Sequence, residues 1–267
     1  MRTFNLGKTQ LPMPHGSERT DYKVMNRSQK TKNVPVCWGY EEQNGPEVWG
    51  QLNPEYRICD TGIHQSPIDL VNPTPAELST VIFNYQSASV NIRNTGNTIQ
   101  VTYPKGNWIE IDGMKYHLLQ FHFHAPSEHT MAGELSDMEM HLVHESEDGA
   151  LVVIGVLIKS GNVNTGFDSF WHLMPSVADE SEQVTSVVLN ALDLLPDTKR
   201  TYRYDGSLTT PPCSEGVKWL VMATPIEMSQ SQIAAFRAIF EGNNRPVQPL
   251  NGRELLVDIT EPSDQEA

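Results

Sequence analysis

The sequence predicts a predominantly β, single-domain protein, and three observations lead there. Short apolar or alternating runs recur at close spacing, the links between them are too short for crossover helices, and one stretch alone carries a clear helical period. The runs lie at 80–85, 98–103, 107–111, 116–124, 138–144, 150–158 and 216–222. Links punctuated by Gly133 and Gly149 favour antiparallel neighbours. The helix is expected after Ser229, a capping residue, with Ile233, Phe236, Ile239 and Phe240 on one face and Gly242 as its stop. Residues 37–75 are dense in Gly and Pro and read as irregular packed loops.

Residues 1–35 follow neither period and contain Pro12, Pro14, Gly16 and Pro35, so they read as an N-terminal extension. Residues 36–260 contain no internal repeat or linker and read as one domain, followed by an acidic tail at 261–267. Hydrophobic residues make up 38% of the 267 and charged residues 19%, the balance of a folded globule and not of a disordered chain. The longest apolar run, Leu151 to Ile158, is far shorter than the ~20 residues that a helix needs to cross a bilayer, so no membrane span is expected. The chain carries 33 acidic and 19 basic residues, a net charge of -14. Arg2, Lys8, Arg19, Lys23, Arg27, Lys30 and Lys32 face only Glu18 and Asp21 in the extension, which leaves the acidic excess on the domain; nucleic acid is excluded as a partner. The extension has no apolar core of a secretory signal. Cys37, Cys59 and Cys213 are too few for a disulfide scaffold and show no Cys-x-x-Cys spacing.

Six of the nine histidines fall within residues 117–144. In Gln120-Phe121-His122-Phe123-His124, strand alternation puts both imidazoles on one face and both phenyl rings on the other. Such a pair alone equally suits histidines packed beside aromatics. A turn through Pro126 and Gly133 followed by a return strand would lay His141 beside the pair, and three imidazoles with an open fourth position are what a catalytic Zn²⁺ needs. His144, three residues on, faces the other side of its strand. Gln120 and Glu139 each lie two residues before a histidine of the trio and share its face, where they can hold the imidazole tautomers.

Trp38-Gly39-Tyr40, Gln65-Ser66-Pro67-Ile68-Asp69, Gln120 to His124, Ser127-Glu128-His129-Thr130, Glu139 to His144, Gly206-Ser207-Leu208-Thr209-Thr210-Pro211-Pro212 and Asn244-Arg245-Pro246-Val247-Gln248-Pro249-Leu250 occur in this order. With these motifs, Cys37 to about Val257 resembles an α-class carbonic anhydrase of the bacterial, extracytoplasmic type. The resemblance implies a large, twisted, mostly antiparallel central sheet with a few short surface helices. It implies Zn²⁺ on His122, His124 and His141, oriented by Gln120 and Glu139, and reversible hydration of CO2 to bicarbonate by zinc-bound hydroxide. Thr209 would accept a hydrogen bond from that hydroxide and donate to Glu128. Val143, Val153, Leu208, Thr210, Val217 and Trp219 would line the site of CO2, which has no net charge or dipole and asks for an apolar wall.

Tyr40, Asn97 and Gln100 fall in the family's proton-relay region. The family often has a shuttling histidine after the glycine of an Asn-Asn-Gly-His segment, whereas Arg93-Asn94-Thr95-Gly96 is followed here by Asn97, which cannot titrate near neutrality. Cys59 and Cys213 match positions bridged in extracytoplasmic relatives, which implies a disulfide and a periplasmic or extracellular location. Bacterial relatives allow a homodimer, although no motif here demands one. Two other readings remain: a non-catalytic binding module of the same fold, and a zinc esterase using the same nucleophile. No His-Glu-x-x-His, Gly-x-Ser-x-Gly, P-loop or Gly-x-Gly-x-x-Gly motif occurs.

Overall fold

The computed structural model describes residues 37–260, so the extension at 1–35 and the tail at 261–267 lie outside the described residues. The strands are β1 (Thr74–Ala76), β2 (Ile82–Asn84), β3 (Ala88–Asn94), β4 (Ile99–Thr102), β5 (Trp108–Ile111), β6 (Met114–His124), β7 (Thr130–Met131) and β8 (Glu134–Leu135). They continue with β9 (Met138–Glu145), β10 (Leu151–Ser160), β11 (Ser181–Leu189), β12 (Thr201–Ser207), β13 (Glu215–Met222), β14 (Ile226–Met228) and β15 (Leu256–Asp258). The helices are short: α1 (Trp49–Leu52), α2 (Ile58–Thr61), α3 (Asp168–Trp171) and α4 (Gln230–Arg237).

Thirteen of these strands form one sheet, ordered β1-β15-β12-β13-β10-β9-β6-β4-β3-β11 along its main path. All seven runs read from the sequence become strands of it. Most pairings are antiparallel, as the short links predict, but the sheet is mixed: β10 runs parallel to β13 and β14, and β1 to β15. Between β10 and β13 the chain passes through α3, β11 and β12, and that detour lets β13 return in the direction of β10. Pattern reading misses β3, β11 and β12, and the two- and three-residue strands β1, β7, β8, β14 and β15. β12, Thr-Tyr-Arg-Tyr-Asp-Gly-Ser, has no apolar alternation, and its buried Tyr204 and Ser207 are satisfied by His129 and Ser66, distant in sequence.

The helix expected after Ser229 forms with a full capping box, in which Gln232 bonds the Ser229 backbone while Ser229 caps Gln232. It stops at Arg237, earlier than expected. Ala238 closes the last turn by donating to Ala234 O, and Gly242 is not its cap. Residues 37–75 are largely irregular, as expected. Trp49 anchors them, fully buried and donating from Nε1 to Gly39 O at 2.9 Å, with Trp38 and Tyr40 edge-on to its ring. Against this cluster lies a disulfide between Cys59 and Cys213, 154 residues apart in sequence. Cys37 is free and exposed.

The central strands bury both faces. Behind the sheet, Phe121, Phe123, Met140, Leu142, Val152 and Ile154 join the largest apolar cluster. On the front, Val153, Leu157, Val217, Trp219 and Val221 form a second one. A bulge in β6 between Leu118 and Gln120 keeps this division. Without the extra residue Leu118 would share the face of Gln120; with it, Leu118 joins the rear core opposite His144.

His144 lies in that rear core, stacked on Tyr85, whose hydroxyl meets its Nε2 at 2.6 Å. Burial pushes the His144 pKa from 6.5 down to about 3, against a smaller opposite pull from the Val152 and Leu142 backbone. Below pH 6.5 the unfolded chain therefore binds a proton that the folded chain refuses. Stability from this residue is complete above that pH and declines toward pH 3, by up to about 1.4 kcal/mol per pH unit. Urea unfolding between pH 7 and 4 should show a shallower acid loss for His144→Gln than for the parent; equal slopes would refute the assignment. Thiol labelling without reductant should find one reactive cysteine, Cys37. Replacing both Cys59 and Cys213 with serine should cost about 2–4 kcal/mol in the same unfolding assay.

Candidate metal centre

Register across the sheet assembles the site. Gln100 of β4 lies opposite His122 of β6, His122 opposite His141 of β9, and His141 opposite Gly155 of β10. The adjacent row reads Gln120, Val143, Val153, Trp219 and Tyr204 over β6, β9, β10, β13 and β12. Both rows face the front because neighbouring strands align their pleats. Gly155 gives the room: a Cβ there would stand 3.0 Å from Glu139 Oε1.

His122, His124 and His141 present ring nitrogens that lie within 4.8 Å of one another, a group able to hold a metal ion. In each ring the other nitrogen is engaged. His122 Nδ1 meets Gln120 Oε1 at 2.9 Å, His124 Nδ1 meets the Asn243 carbonyl at 2.7 Å, and His141 Nε2 meets Glu139 Oε1 at 2.8 Å. These acceptors fix the tautomers and leave His122 Nε2, His124 Nε2 and His141 Nδ1 as lone-pair donors. His124 Nε2 is buried without a hydrogen-bond partner, an atom that metal ligation would satisfy. Burial lowers the pKa of all three, that of His124 to about 4, so the rings are neutral at pH 7. Three imidazoles without a fourth protein donor match a catalytic zinc site with an open position.

Glu139, His129 and His141 also cluster, but Glu139 and His129 bond each other at 2.7 Å and are not free to ligate. Glu128 is fully buried beside the trio, 3.5 Å from His124 Nδ1 and 3.8 Å from His141 Nδ1. Its Oε1 accepts from the Arg245 backbone N–H at 2.8 Å. Its Oε2 has no hydrogen bond of good geometry, though the Thr209 hydroxyl is close enough to help the carboxylate. Desolvation raises the Glu128 pKa to about 7, against the pull of His141, the Arg245 N–H and Thr209.

A profile described as eukaryotic-type carbonic anhydrase matches residues 44–259. A carbonic anhydrase of Nostoc sp. is 44% identical over 231 residues, which cover 84% of this chain and 87% of that one. The structure of a hyperthermostable carbonic anhydrase identified from an active hydrothermal vent chimney aligns at 46% identity with a TM-score of 0.80, over 83% of this chain and 100% of its own. The alpha-carbonic anhydrase from Thermovibrio ammonificans, in complex with the inhibitor sulfanilamide, aligns at 42% and 0.79, over 82% and 98%. The chain belongs to the alpha carbonic anhydrase family.

The residues that the carbonic anhydrase resemblance singles out as an apolar wall fall together. Val153, Val217 and Trp219 are buried in the front cluster, and Val143 and Leu208 pack against it. Thr210 sits in the adjoining turn, where its carbonyl accepts from Cys213 N at 2.9 Å. The three residues of the relay region line two cavities. Tyr40 and Asn97 line a cavity of about 620 Å³ with Trp38, Phe240 and Asn243. Gln100, three residues farther along and opposite His122, lines a different cavity of about 610 Å³ with His117, Leu119 and Gln120. Burial raises the Tyr40 pKa well above 10, with the Glu128 charge adding to the effect.

Sequence reasoning misses Asn243 and the structural part of Arg245. The Asn243 carbonyl orients His124, its Oδ1 accepts from Ala125 N, and its Nδ2 donates to Asn97 O and Phe123 O. The buried Arg245 guanidinium donates to Gln65 Oε1, Ser66 O and Cys59 O. A backbone carbonyl leaves no mark on the sequence, although Asn244-Arg245 begins a family motif. Asn243→Ala, which frees that carbonyl from its clamp, should weaken zinc binding roughly 10-fold in a chelator competition. An unchanged affinity would show that the side chain does not hold it.

Proposed function

We propose that the protein binds Zn²⁺ through His122, His124 and His141 and catalyses reversible hydration of CO2 to bicarbonate and a proton. The observation that carries this reading is the convergence of three neutral imidazoles whose outer nitrogens are all occupied. A bound zinc ion supplies Lewis acidity that makes water a nucleophile source near neutral pH. The chain's own residues then have distinct tasks. Gln120, Glu139 and the Asn243 carbonyl hold the three rings. Thr209 donates its proton to Glu128 and so turns an oxygen lone pair, not a hydrogen, toward the reacting water, which fixes that water's orientation. Val143, Val153, Leu208, Val217 and Trp219 exclude solvent and take up CO2, with Thr210 beside them.

Asn97 cannot accept the proton that each hydration releases, so that proton must leave with external buffer. The Cys59–Cys213 bridge ties the early loop to the turn that follows Thr209 and supports an oxidising compartment, periplasmic or extracellular. Ester hydrolysis would be a side activity of the same site.

Stopped-flow CO2 hydration on zinc-loaded protein tests the reading. Hydration should be fast, should rise with imidazole concentration, and should become less buffer-dependent in Asn97→His. One zinc per chain with no hydration above background would move the protein to a binding module or another zinc hydrolase. An unchanged rate of Asn97→His at low buffer would defeat the missing-shuttle argument alone.

A further inference from the structure

The cavity of about 620 Å³ that Tyr40 and Asn97 line carries charge of one sign. Glu41 and Glu241 stand on its wall, and no lysine, arginine or histidine accompanies them there. Both residues are exposed, and among the described residues neither forms an ion pair. The Glu41 carboxylate accepts from Gln43 Nε2, a neutral donor, which leaves its charge uncompensated. The cavity lined by Gln100 and Gln120 differs, because Lys105, His117 and Glu145 mix both signs along it.

Aromatic rings give this cavity fixed walls. Trp38 is edge-on to Tyr40 and Trp49, with centroids 6.0 and 5.7 Å away, and Phe240 packs on Phe236 at 5.1 Å. Apolar rings beside like charges exclude part of the screening water and focus the field, and a cation also gains from a ring face. The inner end of the cavity adjoins the metal site. Asn243 lines it, meeting His124 Nδ1 with its carbonyl at 2.7 Å and donating from Nδ2 to Asn97 O at 2.9 Å. No hydrogen bond engages the Tyr40 hydroxyl among the described residues, and the charge of Glu128 reaches it.

With asparagine at position 97, a mobile base must enter, take the proton and carry it away. As the O–H bond of the reacting water breaks, its electron pair stays on oxygen and the lone pair of the base forms the new bond to hydrogen. An imidazole arrives neutral and leaves as a cation, whereas phosphate arrives as a dianion and leaves as a monoanion. Two carboxylates favour the protonated imidazole over the neutral one, which draws the proton outward, and they repel phosphate in both forms. We propose that this cavity docks the external proton carrier, and that Glu41 and Glu241 select small imidazoles and amines, neutral as bases and cationic as acids, over anionic carriers. The proposal rests on the reading of the protein as a CO2-hydrating enzyme without a shuttle at Asn97.

The test compares imidazole with phosphate as the sole buffer in stopped-flow hydration by the zinc-loaded full chain at low ionic strength. The half-saturating concentration should be at least about threefold lower for imidazole, and the gap should narrow as salt is added. In the double variant Glu41→Gln/Glu241→Gln the gap should shrink about threefold or more. Glu77→Gln/Glu147→Gln removes the same net charge from exposed positions elsewhere and should keep the parent's gap. A gap unchanged in the first variant, or equally reduced in the second, would overturn the proposal. Saturation-transfer NMR on metal-free protein at pH 6, where imidazole is mostly cationic, gives a second readout that needs no turnover. Imidazole should show contact with the parent that weakens in Glu41→Gln/Glu241→Gln, and equal signals would also overturn the proposal. Absence of hydration by the zinc-loaded parent would instead sink the reading of the reaction, and the metal-free comparison would then decide the docking site alone.

Discussion

A carboxylate with no solvent-accessible surface stays ionised only where N–H groups surround it, and Glu139 is surrounded by four. Burial alone would raise its pKa, but the neighbouring His129 and His141 and the ring N–H bonds they donate hold it well below the usual range. Two donors are ring N–H groups and two belong to the backbone at Glu128 and His129. One charge therefore sets the tautomer of His141 and the path of the loop after β6 together. That loop delivers Glu128 beside the trio, and Arg245 receives it there through its backbone N–H. Remove the charge and the ring, the loop and the Glu128 carboxylate would lose a common reference.

The sheet converts this local arrangement into a site because its faces are chemically unlike. The rear face carries Phe121, Phe123, Leu142 and Ile154, whose burial gives β6, β9 and β10 one stable register. A slip of one residue would send the imidazoles into that core. The front face can then bear polar residues next to His122 and apolar ones around Val153 without weakening the fold. His144 is buried in the rear core, where the Tyr85 hydroxyl satisfies its Nε2.

Loops of low regularity are held by charge and covalent bonding. The Arg245 guanidinium gathers Gln65, Ser66 and Cys59, lies over the Trp49 ring, and so joins the C-terminal segment to the loop that begins the domain. The disulfide anchors the far side of the same loop to the turn after Thr209. Gln65 completes the tie by donating to the Cys213 carbonyl at 3.1 Å. Such loops have no ladder of their own, and each backbone group must find a distant partner.

The sequence by itself determined whatever depends on local period and residue type. Alternation put His122 and His124 on one face, Ser229 and Gln232 capped α4, the seven apolar runs became strands, and the ordered motifs identified the family. Only the tertiary structure decided which strands are neighbours. It set His141 opposite His122, ran β13 parallel to β10, inserted the bulge at Leu119, and brought the Asn243 carbonyl to His124 across 119 positions of chain. It also built β12 from residues without an apolar pattern. Period and capping act within a few residues, where the chain's own geometry dictates the contact. Register, backbone acceptors and buried polar partners are settled when distant segments pack, because only then does each desolvated N–H and C=O meet the group that satisfies it.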